Sequence, residues 1–241
     1  MIAQRVRIGT RGSRLALAQA GLVRAVIAAG LEAGLEAAPL VPITTTGDRI
    51  QDRPLTDEGG KALFTKEIEA ALLAGRIDCA VHSLKDMPAE VPPGLVIAAI
   101  PEREDPRDAF LSVAFESFDA LPAGARLGTA SLRRQVQALH RRPDLTIVSL
   151  RGNVDSRIAK LERGEAAAIL LAAAGLNRLG LGHRAREFID PVDAPPAPGQ
   201  GALAIQTRAA DAEAPWLAGL RHPPTALAVA AERGALEALE G

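Results

Sequence analysis

Ile8-Gly9-Thr10-Arg11-Gly12-Ser13-Arg14 reads as a β-strand that runs through a glycine turn into a helix, with Ser13 placed as the helix N-cap. The same grammar returns at Leu127-Gly128-Thr129-Ala130-Ser131-Leu132-Arg133-Arg134. It returns again at Leu150-Arg151-Gly152-Asn153-Val154-Asp155-Ser156-Arg157, with Asn153 at the turn. Working outward, Val6-Thr10, Leu40-Thr45, Asp78-Val81, Leu95-Ile100, Arg126-Thr129, Thr146-Ser149, Ala167-Leu171 and Ala202-Gln206 have strand character. Helical spacing fills Ser13-Ala29, Lys66-Ala74, Ser131-His140, Val154-Glu162 and Ala173-Leu179. Strands alternating with helices predict an α/β fold with largely parallel sheets covered on both faces.

Two segments read as crossings between lobes. Pro101-Glu102-Arg103-Glu104-Asp105-Pro106 is polar with two prolines, and Asp193-Ala194-Pro195-Pro196-Ala197-Pro198-Gly199-Gln200 is richer still in breakers. A strand pattern resumes at Ala202-Gln206. If that strand returns to the first lobe, the chain crosses twice and leaves a cleft between two similar lobes, a natural small-molecule site. After Arg221-His222-Pro223-Pro224 comes one more helical stretch, Thr225-Glu240.

Composition narrows the function classes. The 241 residues are 48% hydrophobic and 24% charged with a net charge of -1, and acids and bases are interspersed, so nothing global points to nucleic acid or a membrane surface. No segment approaches the roughly 20 apolar residues of a membrane span, and the N-terminus lacks a signal pattern; a cytoplasmic protein is expected. The single cysteine, Cys79, excludes an internal disulfide, and the four scattered histidines suggest no metal. Tyrosine is absent, which disfavours an aromatic platform for nucleic acid. Lysine occurs only at Lys61, Lys66, Lys85 and Lys160, so the cations are mostly arginine forks suited to carboxylates.

Each of the three turns would offer free backbone N–H groups, a hydroxyl or amide, and arginines at a helix N-terminus, where the dipole favours anions. A capping residue alone would explain any one of them. Together they predict a polyanion cleft for carboxylates, because strand C-termini in α/β sheets gather around one crevice. No G-x-x-x-x-G-K-[ST] loop exists, which disfavours a nucleoside triphosphate. A second constellation is Asp78-Cys79-Ala80-Val81-His82-Ser83-Leu84-Lys85-Asp86-Met87-Pro88, in which an apolar strand delivers a hydroxyl, an ammonium and a carboxylate. Asp86 beside cations would stay ionised, whereas burial would make it a proton donor. A Lys85–Asp86 pair on a solvated loop is the plainer alternative. Upstream, Thr44-Thr45-Thr46-Gly47-Asp48 and Gly59-Gly60-Lys61-Ala62-Leu63-Phe64-Thr65-Lys66-Glu67 bracket a charged, glycine-rich stretch that reads as a mobile lid or a surface loop.

In order and spacing, Arg11-Gly12-Ser13, Thr46-Gly47-Asp48, Gly59 to Phe64, His82 to Pro88, Gly128 to Gln135, Arg151 to Arg157, Ala173 to Leu179 and Pro198 to Leu203 resemble the porphobilinogen deaminases, over roughly residues 5–240. The resemblance implies two periplasmic-binding-protein-like lobes, residues 1–100 with 200–219 and residues 101–199. Residues 220–241 would begin a small third α+β domain within which the chain ends. It implies a monomeric transferase that condenses four porphobilinogens, with loss of ammonia, into hydroxymethylbilane on a dipyrromethane primer. It assigns Asp86 as the catalytic carboxylate, stabilising a cationic azafulvene and relaying protons. Ser83, Lys85, Asp86, Thr129, Ser131, Arg133, Arg134, Gly152 and Lys61 would bind the cofactor; Arg11, Ser13, Arg151, Arg157, Arg178 and Gln200 would bind substrate. The primer's cysteine is expected just beyond Gly241, since Cys79 reads as a small buried strand residue.

The competing class is a two-lobed binding protein that clamps a small carboxylate without chemistry. A third, the effector domain of a DNA-binding protein, would need a helix-turn-helix or a basic face, and neither is present.

Overall fold

A computed structural model describes residues 5–49 and 63–239. The chain divides into two compact units, Met1–Glu104 with Ala202–Gly241, and Asp105–Gly201. In chain order the first unit supplies β1 (Ile8–Arg11), α1 (Arg14–Ala29), β2 (Leu40–Ile43), α2 (Thr46–Arg49), α3 (Lys66–Leu73), β3 (Cys79–Ser83) and β4 (Leu95–Ala99). The second contains β5 (Asp108–Ser112), β6 (Arg126–Gly128), α4 (Leu132–Arg141), β7 (Thr146–Val148), α5 (Val154–Glu162), β8 (Ala168–Ala172), α6 (Ala173–Arg178) and β9 (Glu187–Phe188). The chain then returns to the first unit for β10 (Leu203–Arg208) and α7 (Pro223–Ala238).

The sheets have orders β2-β1-β3-β10-β4 and β7-β6-β8-β5-β9, the same pattern built twice. The expectation of largely parallel sheets needs one amendment, a single reversed strand in each. β10 pairs antiparallel with β3 and β4, and β5 pairs antiparallel with β8 and β9. Each reversed strand is the first that the chain makes on entering or re-entering its unit. The sequence reading missed β5 and β9. Asp108-Ala109-Phe110-Leu111-Ser112 is buried at all five positions, so it lacks the alternation that marks a half-exposed strand, and it follows a proline-rich polar segment.

In the first unit α1 covers one face of the sheet, burying Val23 and Ile27 against Ile8, Val81, Ile205 and Leu217; Ile68 and Leu72 of α3 cover the other with Ile77 and Leu95. In the second, Phe110, Leu127, Leu170 and Phe118 fill one face, and Leu111, Ile158, Leu161 and Leu171 the other.

Registers make the two sheets comparable residue by residue. Ile8 and Gly9 lie opposite Cys79 and Ala80, and Leu127 and Gly128 opposite Ala168 and Ile169. A Cβ on Gly9 would come 2.3 Å from Ile77 Cδ1, and one on Gly128 within 2.9 Å of Leu150 Cδ1, so both strands need glycine at the same place for close packing. Continuing along the strands, His82 corresponds to Leu171 and Ser83 to Ala172. Leu203, Ala204, Ile205 and Gln206 correspond to Asp108, Ala109, Phe110 and Leu111.

The C-terminal helix α7 starts with Pro223 and Pro224 in its first turn, where no backbone donor is lost. It buries Val229 with Leu84, Met87, Ala202 and Ala204. Arg103 pairs with Glu232 at 2.5 Å, and Arg233 donates to the carbonyls of Pro88, at 3.0 Å, and Ala89. The helix therefore braces the segment that carries Asp86.

Candidate active site

In the first unit, the C-terminal ends of β1 and β3 open on a concavity lined by Arg11, Ser13, Gln19, Phe64, His82, Ser83 and Asp86. The Ser13 hydroxyl caps α1 by accepting from the Ala16 amide at 3.3 Å. Ser83 exchanges hydrogen bonds with the buried amide of Gln19 at 3.0 and 3.3 Å, which fixes its hydroxyl at the end of β3. Asp86 follows on a short 3-10 turn, Leu84–Asp86, whose leucine is buried and anchors it. The carboxylate is half-buried, and no hydrogen bond or ion pair engages it among the described residues. The plainer reading, a charge spent on a surface pair, is thereby weakened.

Arg11 is held from two sides. Its Nε donates to Asp48 Oδ1 at 3.0 Å and its Nη2 pairs with the same oxygen, while its guanidinium lies 4.3 Å from the centroid of the Phe64 ring. Burial pushes the Asp48 carboxyl up, but the hydrogen bond and charge of Arg11, with the Thr45 hydroxyl and amide, outweigh it and hold it below the usual carboxylate range. Gly47 is required beside this stack, since a Cβ there would fall 2.4 Å from Phe64. Glu67 accepts from the Thr46 amide at 3.0 Å and hydroxyl at 2.5 Å. The described flank of the expected lid, Thr45 to Asp48, is thus pinned by these bonds. Gly59, Gly60 and Lys61 lie outside the described residues.

In the second unit the arginines converge on a carboxylate that the sequence reading did not single out. Asp108 accepts from Arg133 at 2.8 Å, Arg134 at 2.7 Å and the Gln200 amide at 2.8 Å. Burial raises its pKa, but the charge and hydrogen bond of Arg134, then Arg133 and Gln200, prevail and bring it down to about 2. Arg134 and Gln200 are buried, with Arg134 Nη1 also donating to the Leu170 carbonyl at 3.1 Å and Gln200 to the Pro106 carbonyl at 2.6 Å. Arg134 Nε is a buried donor with no hydrogen-bond partner among the described residues. Arg133 keeps partial exposure and also donates to Gln137 and the Pro195 carbonyl.

Ser131 caps α4 through the Arg134 amide, and the Thr129 hydroxyl accepts from the Ser131 amide at 3.2 Å. Asn153 caps α5 through the Ser156 amide at 2.8 Å, so all three capping turns form. Gly152 adopts φ 120°, a conformation that disfavours a side chain, and its carbonyl accepts from Arg157 Nε at 2.6 Å. Arg151 lies in the same loop, and Arg178 donates to the Gly201 carbonyl at 2.7 Å. Lys85 is half-buried on the turn beside Asp86. Cys79 is fully buried within β3, and burial followed by the charge of Asp78 pushes its thiol well up, which makes it an inert core residue. Among the described residues no group of His, Cys, Asp and Glu could hold a metal ion.

Gln19, Asp48, Phe64 and Asp108 were absent from the sequence-based assignments. Asp48 and Phe64 lay inside quoted motifs, Thr46-Gly47-Asp48 and Gly59 to Phe64, without a site role, and Asp108 carried a signal of its own, a carboxylate entering an apolar run in a chain rich in arginine, because a buried charge requires a partner.

Residues 6–215 match the family described as porphobilinogen deaminase, dipyromethane cofactor binding domain. The chain is similar to the porphobilinogen deaminase of Caulobacter sp. (strain K31), with 69% identity over 100% of this chain and 77% of that protein. It is also similar to that of Phenylobacterium zucineum (strain HLK1), with 67% identity over 98% and 76%. Among solved structures it is similar to the methionine binding protein MetQ (TM-score 0.55, 15% identity, 95% of each chain). A periplasmic substrate-binding protein of an ABC transporter from Coxiella burnetii gives a TM-score of 0.51 at 17% identity, covering 95% of this chain and 97% of that one. These structural likenesses extend to the periplasmic-binding-protein-like fold alone.

Proposed function

The chain belongs to the porphobilinogen deaminase family, and from that premise we propose that it condenses four porphobilinogens head to tail, releasing ammonia at each step, to give hydroxymethylbilane for porphyrin and haem biosynthesis. The observation that carries the reading is Asp86, a half-buried carboxylate without a partner among the described residues, on a wall shared with Arg11, Ser13 and Ser83. Loss of ammonia from the aminomethyl group leaves a cationic azafulvene, and a positioned carboxylate stabilises that charge and relays the pyrrole protons. Each pyrrole bears an acetate and a propionate, which arginine forks bind bidentately.

The second unit fits a dipyrromethane cofactor. The orphaned Nε of Arg134 needs an acceptor, and a cofactor carboxylate supplies one. Thr129, Ser131, Arg133, Arg134 and Gly152 are the residues of this unit that we assign to that group; Ser83, Lys85, Asp86 and Lys61 are those that we assign to it in the first unit. Bound there, it provides the pyrrole carbon to which incoming units are joined. Arg11, Ser13, Arg151 and Arg157 take substrate carboxylates, with Arg178 assigned alongside them. Gln200, buried against Asp108, acts by positioning that carboxylate and its two arginines. Among the described residues no helix is long and apolar enough to cross a membrane, and we take a cytoplasmic monomer as the working form.

Incubation with porphobilinogen tests the proposal. Ammonia release with accumulation of hydroxymethylbilane is expected; reversible binding of porphobilinogen without ammonia would replace the enzyme by a carboxylate-binding protein.

A further inference from the structure

Behind the wall of the first-unit concavity lies a chain of three buried polar side chains that the proposed reaction has not used. His82 is 6% exposed, Gln206 is fully buried, and Glu69 is 8% exposed. Gln206 Nε2 donates to Glu69 Oε1 at 3.1 Å, and Gln206 Oε1 lies 3.1 Å from His82 Nε2. A carboxylate only accepts, so Glu69 orients the amide of Gln206 with its oxygen toward His82. The ring nitrogen facing that oxygen must then carry the proton. Burial, with Arg11's charge adding and the Gln206 bond opposing, pulls the His82 pKa down to about 4, so the ring is neutral and its Nδ1 is bare. No hydrogen bond engages Nδ1 among the described residues.

The second unit serves as an internal control for what the fold itself needs. The positions equivalent to His82 and Gln206 are Leu171 and Leu111, which pack together in an apolar cluster with Ile158 and Leu161 from the covering helix. The same sheet, at the same register, closes with leucines. A buried polar chain costs desolvation that leucine avoids, so its presence in the first unit answers to something other than folding.

We propose that Glu69, Gln206 and His82 form a tautomer lock, holding His82 uncharged with its proton on Nε2, so that the wall shared with Asp86 carries no second cation beside Arg11 and offers Nδ1 as an acceptor. The role deepens the deaminase reading and rests on it: an imidazolium here would compete with the substrate cation for the charge of Asp86. His82 is a positioning residue in this scheme. The charged groups that face it or its partners are Arg11 from the end of β1, Asp86 from the turn after β3, and Glu69 from α3, reached through Gln206.

Two measurements on the intact purified protein decide the matter. Two-bond proton–nitrogen NMR correlations should show His82 as a single neutral Nε2–H tautomer from about pH 5 to about pH 8, the range in which an ordinary histidine titrates. An Nδ1–H tautomer, or an imidazolium near about pH 6.5, overturns the proposal. This readout needs no activity, so it stands or falls separately from porphobilinogen consumption. In Glu69→Gln the neighbour of Gln206 can donate as well as accept, so the Gln206 amide is no longer held with its oxygen toward His82: the NMR correlations should show an Nδ1–H population, and kcat should fall severalfold with KM little changed. A single Nε2–H tautomer in that variant, or an unchanged kcat while NMR shows the tautomers mixed, overturns the role assigned to the lock.

Discussion

In the first unit the turn after the third strand is Ser83-Leu84-Lys85-Asp86, and its carboxylate faces a concavity with no partner among the described residues. In the second the equivalent positions are Ala172-Ala173-Ala174-Gly175, where β8 runs into α6, and the carboxylate sits instead on the reversed strand, as Asp108, gripped by two arginines and a glutamine. One sheet pattern therefore supports two electrostatic designs. A carboxylate left unpaired keeps its charge available for a cation. A carboxylate saturated by arginines instead sets the orientation of those arginines, and Arg134 Nε is left as a buried donor without a partner among the described residues.

The comparison can be broken most directly at Asp86. Asp86→Asn is expected to lower the rate of porphobilinogen consumption by about 10²–10⁴-fold, the usual loss when a positioned acid or base is removed, with the circular dichroism spectrum unchanged. Near-normal turnover would remove Asp86 from the chemistry and with it the contrast between the units.

Asp108→Asn should act on stability. It strands Arg134 in the interior without a counter-charge and is expected to cost about 3–5 kcal/mol in urea unfolding. The pH dependence has a definite sign. The folded pKa, about 2, lies below the unfolded one, so this stabilisation is present above about pH 4 and is lost as pH falls toward about 2. In Asp108→Asn that portion of the acid destabilisation should disappear.

Arg233→Ala probes the brace on the Asp86 segment. Losing its bonds to the carbonyls of Pro88 and Ala89 should cost about 1.5–3 kcal/mol, the range for hydrogen bonds to a charged group, with a fall in kcat smaller than that of Asp86→Asn. The smallest effects belong to what the units share. Ser13→Ala and Ser131→Ala each remove one N-cap and should each cost about 1 kcal/mol in thermal unfolding, because both hydroxyls accept one orphan amide. A much larger loss at either position would mean that the hydroxyl does more than cap.

The three strand-turn-helix units were legible because their signals are local. Ser13, Ser131 and Asn153 each serve an amide three residues away, and that spacing is written in the chain. The glycines at Gly9 and Gly128 were visible as letters, but the crowding that requires them comes from Ile77 and Leu150, on other segments. β5 escaped because, buried on both faces, it has no period to detect, and its apolar run is only Ala109-Phe110-Leu111 at the end of a polar, proline-rich segment. Asp108 escaped with it.

By itself the sequence determined the α/β grammar, the capped turns, the arginine-rich character suited to carboxylates, and the placement of Asp86 at the end of an apolar strand. Periodicity and capping act within a few residues, so they survive in one dimension. Tertiary structure alone decided which charges stay unpaired. Asp108 meets Arg133 and Arg134 across 25 and 26 residues, and Gln206 meets Glu69 and His82 across 137 and 124. Charge and tautomer depend on the distance between groups and on the water excluded around them, and only the folded chain sets either.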